Sequence, residues 1–196
     1  YFFYIFVSFT LMKKLLSVLT GLILMISTSV FAEEKLTIEK QLVGIVGAIS
    51  GTVKTETREL KAGDKIYLNE TIVAGAGSGT QILLLDQSTF TIGEDSEVVM
   101  DTFIFDPETN DGKIVASVKQ GSLKVISGLI SKKNPDSLTV EVPEGTLGSR
   151  GTEFQTVVSK GRTDTLLIGP GKNNTLGMRP GAVLIGNSLG STLLDN

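Results

Sequence analysis

The stretch Glu141–Val158, written EVPEGTLGSRGTEFQTVV, holds the residues whose types and spacing are most suggestive of chemistry. Gly145, Gly148 and Gly151 recur at every third position, between two segments in which polar and apolar residues alternate. Glycine adopts positive φ angles and allows close backbone approach, so this spacing predicts a tight corner between strands. Arg150 lies inside the predicted corner and brings five N–H donors to it.

Two roles are open for Arg150. Its guanidinium can tie the corner together by bonding loop carbonyls or a carboxylate such as Glu153 or Glu144, or it can be offered to a partner protein. We favour the structural role, because carbonyl groups buried in such a corner need donors. Phe154 is predicted to be a core residue. The candidate site, a structural corner that could also contact a partner, comprises Gly145, Gly148, Arg150, Gly151, Thr152, Glu153 and Phe154.

Enzymatic chemistry is restricted by composition, since the chain has neither His nor Cys. This excludes Ser-His-Asp and Cys-His arrangements as well as thiolate and imidazole metal ligands. An acid-rich run could supply two carboxylates to a glycosidase-like site. Charged side chains are mostly solvent-exposed, so a solvated surface is the favoured interpretation and no catalytic residue or cofactor is predicted. The run consists of Asp95, Glu97, Asp101, Asp106, Glu108 and Asp111.

The segment Asp106–Gly112 superficially resembles a calcium loop. An EF-hand requires Gly at its sixth position and Glu at its twelfth, and this sequence has Asp111 and Ser117 there. Asn, Asp and Gly supply turn conformations directly, so a hairpin connection without a metal is predicted. A weak extracellular calcium contact is the alternative.

The N-terminal region predicts export. Met12 opens a short positively charged segment, residues 15–26 are apolar, and small residues precede a cleavage position after Ala32. This pattern is typical of a secretory signal peptide, Met12–Ala32, and Tyr1–Leu11 is interpreted as translated upstream sequence. An uncleaved membrane anchor is the alternative, although the apolar run is shorter than a spanning helix requires. After cleavage no membrane span is expected.

Charge and cysteine content narrow the class of partner and the compartment. Cleavage would remove Lys13 and Lys14 and change the net charge from −3 to −5. A mildly acidic chain with scattered charges gives no footprint for nucleic acid or an anionic membrane. The absence of Cys is compatible with the periplasm, the cell surface or the medium. The length fits one domain.

The remaining sequence predicts an all-β fold of short strands, arranged as a sandwich or as a solenoid of stacked rungs. From Leu60 onward, Gly, Asn and Asp mark turns every few residues, and no segment keeps a helical period. In the strand before Asp106, alternation places Val98, Met100, Thr102 and Ile104 on one face. Further strands are predicted at 113–119 and 123–130 with a turn between them, at 165–168, and as a final pair around Arg179-Pro180-Gly181.

Three parts of the sequence together resemble the FecR domain family. They are LKAGDKIYLNETIVAGAGSG, then LDQSTFTIG with DTFIFDP, and the closing RGTEF. The resemblance covers residues 42–158, and Glu144-Gly145 departs from it because relatives more often have small or apolar residues there. It implies an all-β, solenoid-like module outside the inner membrane, preceded here by a lead-in at 33–41. Residues 159–196 would form a C-terminal β extension, truncated at its end.

Regulators of this family relay the state of an outer-membrane transporter to a cytoplasmic anti-sigma segment. No such segment precedes the apolar stretch here, so the resemblance implies a stand-alone exported form. The predicted function is non-enzymatic interaction or sensing in the cell envelope, with another envelope protein as partner. The alternatives are a structural building block of an adhesin-like surface protein and, more remotely, a glycoside-acting enzyme.

Overall fold

The computed structural model describes residues 40–170, 173 and 180–195. The predicted signal peptide and the segment before it lie outside the described residues, as do Leu176 and Met178 of the predicted C-terminal strands. The described part of the chain is nearly all β, as expected. In that part, no helix has the length and hydropathy needed to cross a membrane.

Fourteen strands and one short helix make up the described part of the chain. They are β1 (Leu42–Ser50), β2 (Val53–Lys54), β3 (Lys65–Tyr67), β4 (Thr71–Ala74), β5 (Gly79–Leu84), β6 (Thr89–Ile92), β7 (Ser96–Phe105), β8 (Gly112–Ile126), α1 (Leu129–Lys133), β9 (Leu138–Val142), β10 (Gly145–Ser149), β11 (Glu153–Ser159), β12 (Arg162–Gly169), β13 (Ala182–Asn187) and β14 (Gly190–Asp195).

The strand pairings divide into two sheets that share the long strand β8. Sheet A has the order β3-β1-β5-β6-β8-β11-β12 and uses residues 121–126 of β8. Sheet B has the order β2-β4-β7-β8-β9-β10-β13-β14 and uses residues 112–120 of β8. All these pairs are antiparallel except β8–β9, which is parallel. Neither sheet closes on itself.

The inward-facing side chains of both sheets form one apolar core. Phe90 and Phe154 contribute from sheet A, and Met100 and Leu147 from sheet B; all four are at most 1% exposed. These residues occupy the alternating positions that a half-buried strand requires. One contiguous core across both sheets fixes their mutual packing.

The turn predicted at Gln120-Gly121-Ser122 is wrong. Gly121 has φ 82°, and a Cβ there would overlap Ser96 of β7. Its positive φ bends β8 from sheet B into sheet A without reversing the chain, because glycine permits both outcomes. After this bend β8 ends at Ile126, earlier than the predicted strand 123–130. The helix α1 occupies the end of that predicted strand and the polar residues after it.

Two further details of the predicted strands needed correction. The alternation in β7 shifts at a bulge between Met100 and Thr102, so that Phe103 is buried and Ile104 is 61% exposed. Of the predicted final strand pair, Val183 and Ile185 lie in β13, which forms a hairpin with β14 in which Asn187 is opposite Gly190, whereas Leu176, Met178 and Arg179 lie outside the described residues. In addition, β12 is longer than the predicted 165–168.

Candidate interaction site

The corner predicted around the glycine triplet is confined to Arg150, Gly151 and Thr152. These residues carry the chain from β10 in sheet B to β11 in sheet A. Gly151 has φ 66°, the left-handed conformation that glycine adopts without strain. Gly145 and Gly148 instead lie within β10, where they pair with β9. The three regularly spaced glycines therefore have two roles: Gly151 forms the bend, and Gly145 and Gly148 are strand residues.

Arg150 forms a two-pronged ion pair with Asp136. Its Nε and Nη2 atoms donate to the two carboxylate oxygens, each over 2.9 Å, and each side chain is about 40% exposed. Hydrogen bonding to Asp136 raises the pKa of Arg150 above its ordinary value. The expected partners Glu153 and Glu144 are wrong: Glu153 pairs with Lys124 over 2.6 Å, and Glu144 accepts a hydrogen bond from Thr163.

The backbone around this ion pair explains why Asp136 is the partner. Asp136 has φ 68°, and its N–H donates to the carbonyl oxygen of Ser149 over 3.1 Å. This anchors the loop before β9 beside the corner. Gly148 keeps the approach open, because a Cβ there would lie 3.2 Å from an Asp136 carboxylate oxygen. The Arg150 N–H separately donates to Ala182 of β13 over 2.9 Å.

Buried hydroxyl groups, and not the guanidinium, satisfy the inner side of the corner. Ser127 and Ser149 share a hydrogen bond of 2.6 Å, and Ser131 donates to the Ser149 carbonyl over 3.0 Å. The N–H groups of Gly151 and Thr152 donate to Ser131 and Ser127 over 3.1 and 3.2 Å. All three serines are at most 4% exposed. The network ties α1, β10 and the residue that follows β8 to the corner.

The last two predicted site residues are also anchored. The Thr152 hydroxyl donates to the carbonyl of Gly169 at the end of β12 over 2.6 Å. Phe154 is fully buried, where the alternation predicted a core residue. The corner is thus built into both sheets, and Arg150 is its half-exposed outer element. Arg150 therefore holds the corner in place, since its side chain already has a carboxylate partner.

A second candidate surface, missed in the sequence, lies on the outer face of sheet A. Cross-strand partners share a face, and the row Ile45–Leu83–Thr89–Ile126–Glu153 runs across five strands. Seven large apolar side chains on this face are between 39% and 63% exposed. We call them the apolar band: Ile45, Leu83, Leu85, Ile126, Val157, Leu166 and Ile168.

The band carries little net charge. Lys124 and Glu153 lie on the same face and form an ion pair of 2.6 Å, while Arg162 pairs with Asp164 over 2.7 Å. A signal for the band was present in the sequence. The runs 83–85 and 166–168 each place three large apolar residues in succession. Because successive strand residues point to opposite faces, such runs make both faces apolar.

The acid-rich run does not assemble into a site in the described residues. Glu97 and Asp101 lie along β7, whereas Asp106 and Asp111 flank the β7–β8 loop. Asp106 accepts from the Thr109 hydroxyl over 2.7 Å, and Asp111 pairs with Lys133 over 2.9 Å. Within residues 40–170, 173 and 180–195, no three acidic side chains gather as metal ligands.

Comparisons with known proteins identify the family. Comparison with curated proteins and with solved structures found no match. The family model described as FecR protein matches residues 70–168, about half of the chain. That match runs from the end of the β3–β4 turn through β12 and includes the corner and most of the apolar band. The chain therefore belongs to the FecR protein family.

Proposed function

We propose that this chain is a non-enzymatic recognition module of the cell envelope, which binds another envelope protein and serves in sensing or signalling. The observation that carries the proposal is the apolar band on the outer face of sheet A. Membership of the FecR family supports a sensing role. We further propose a sandwich-like FecR-type β domain, supported by the single core shared by the two sheets.

The apolar band supports recognition because it is costly to leave in water. An antiparallel sheet with one solvated face normally alternates apolar and polar residues. Here the solvated face keeps Leu83, Leu85, Leu166 and Ile168 in addition to its polar residues. Ile45 and Leu83 are direct cross-strand partners within the band, and clusters of exposed apolar side chains mark interaction sites. A partner that covers the band would recover the free energy of burying this area, at about 25 cal/mol per Å².

We also propose export to the periplasm or the cell surface. The support is the sequence pattern of Met12–Ala32. A fractionation of producing cells, with detection of a protein beginning at Glu33, tests this proposal. A product that starts at Met12 and stays in the inner membrane would contradict it.

Photocrosslinking tests the recognition function. A benzoylphenylalanine residue would replace Leu83 or Leu166 in the apolar band, and Glu141 on the outer face of sheet B would serve as the matched control. We expect one envelope protein to be crosslinked from both band positions and not from Glu141. Equal crosslinking from Glu141, or none from the band, would reject the proposal. Crosslinks between copies of this chain would favour the structural building block.

A further inference from the structure

The edge strands at the two ends of the sheets differ in length. At one end the edges are β3 and β2, which have three and two residues. At the other end they are β12 and β14, with eight and six residues. Proteins usually keep edge strands short because unpaired N–H and C=O groups recruit other strands. In the described part of the chain, β12 pairs only with β11 and β14 only with β13.

Sheet B is wider than sheet A at this end, so that the inner face of its last strands is only partly packed against sheet A. The inward row Leu147–Ile185–Thr192 crosses β10, β13 and β14. Leu147 is 1% exposed, Ile185 is intermediate and Thr192 is exposed. These residues point to the same side, so the rising exposure shows that β12 ends sheet A before β13 and β14 are covered. A position for one further strand lies beside β12.

A groove of about 440 Å³ occupies this position. Thr163 and Thr165 of β12 form one wall, and Leu147, Ile185 and Thr192 of sheet B form the floor. Among its described lining residues Glu144 is the only charged one, and it accepts a hydrogen bond from Thr163. The lining lacks aromatic side chains and combines hydroxyl groups with a narrow apolar floor.

This lining fits an extended peptide. Strand addition to a sheet edge takes its affinity from main-chain hydrogen bonds and its specificity from pockets for alternate side chains. The β12 edge can offer the main-chain groups, and Ile185 with Thr192 offers a surface for the inward side chains of an added strand. Glu144 favours a positively charged residue at one end of the segment by charge complementarity.

We propose that an extended segment of the partner protein adds to β12 as a further strand of sheet A. Its inward residues are small or apolar and cover Ile185 and Thr192, and a Lys or Arg at one end faces Glu144. This inference rests on the proposed recognition function and specifies the form of the partner. The outward residues of the added strand extend the apolar band beyond Leu166 and Ile168.

Selection from phage-displayed random peptides of twelve residues, on the full chain, tests the proposal. We expect enriched peptides to alternate apolar and polar residues, to lack central proline and to carry a basic residue near one end. The enriched peptide would then be synthesised as the probe. Thr192→Trp fills the groove and should weaken its binding at least tenfold. Leu193→Trp, on the opposite face of β14, is the matched control and should change binding less than twofold.

Two further measurements locate the peptide. Hydrogen exchange of the β12 amides should slow at least tenfold on binding, and Glu144→Gln should weaken only peptides that carry the basic residue. Equal binding by Thr192→Trp, protection confined to the apolar band, or enriched peptides without alternation would overturn the proposal. So would a dimer of this chain formed through β12. If band crosslinks to an envelope protein persist while these results fail, recognition stands and strand addition is rejected.

Discussion

Arg150 and Asp136 meet through two hydrogen bonds of 2.9 Å, although 14 residues separate them in the chain. The pair joins the corner between the sheets to the loop that precedes β9. A planar guanidinium matches a carboxylate in this geometry, and lysine cannot reproduce it. The pair lies on the outside of the corner, with the buried serine network on the inside. Because one set of contacts is partly exposed and the other is buried, we expect their removal to lower stability by different amounts.

Arg150→Ala should lower the melting temperature only slightly, because both charges of the pair are partly exposed and screened by solvent. Arg150→Lys should give an intermediate value, and the difference from the wild type should shrink in 1 M salt. The double variant Arg150→Ala/Asp136→Asn should be no less stable than Arg150→Ala, because asparagine also tolerates the positive φ of position 136. Thermal unfolding measures all three. A loss as large as that of a buried serine variant would contradict the exposed, outer position of the pair.

Ser131→Ala should be clearly destabilising, because the Gly151 N–H would lose its partner, whereas the Ser149 carbonyl would keep the N–H of Asp136. Leaving a buried polar group unpaired costs about 1–3 kcal/mol. Urea denaturation should show a lower midpoint with an unchanged slope. Ser159→Ala, at an exposed position of β11, is the matched control and should be nearly neutral. Equal midpoints for the two variants would show that the network contributes nothing.

Gly151→Ala should destabilise through backbone strain alone. The nearest atom to its added Cβ lies 3.8 Å away, so space is available, and the positive φ costs about 1–2 kcal/mol. Gly161→Ala, with φ 69° and open space, should cost a similar amount.

Gly128→Ala should cost more than either, because its Cβ would overlap the Asp86 carbonyl oxygen and the Ser88 nitrogen. Free energies of unfolding from urea titrations give the order. A neutral Gly151→Ala beside a costly Gly161→Ala would show that the corner is not held at positive φ.

Acid should release the β7–β8 loop. The Thr109 hydroxyl lowers the pKa of Asp106, and Lys133 lowers the pKa of Asp111, both below the ordinary 3.8. A lowered folded-state pKa stabilises above the unfolded-state pKa, and the stabilisation is lost as pH falls through the folded value. The two contacts should therefore be complete at neutral pH and weaken below about pH 4.

Carboxyl-carbon NMR titration measures this effect. Thr109→Val should raise the pKa of Asp106 towards its ordinary value and that of Asp111 by less, because Lys133 and Asn134 are the larger causes there. An Asp106 titration that Thr109→Val does not move would show that the hydroxyl is not the cause.

The sequence by itself determined that the chain is built from short strands. Turn residues between short apolar runs indicated an all-β chain, and alternation indicated which side chains of such strands face inward. It also placed Phe154 inward. The motifs that resemble the FecR family were readable for the same reason, because they consist of local turn residues between short apolar runs.

Only the tertiary structure decided how the strands combine. Gly121 could bend or reverse the chain, and the packing of β8 against Ser96 selected the bend. Asp136, instead of Glu144 or Glu153, became the partner of Arg150 because loop and corner meet in space. The apolar band likewise arises only when strands from both ends of the sequence align. Local patterns specify which way a side chain points within a strand, but cross-strand register and sheet order depend on contacts between distant residues.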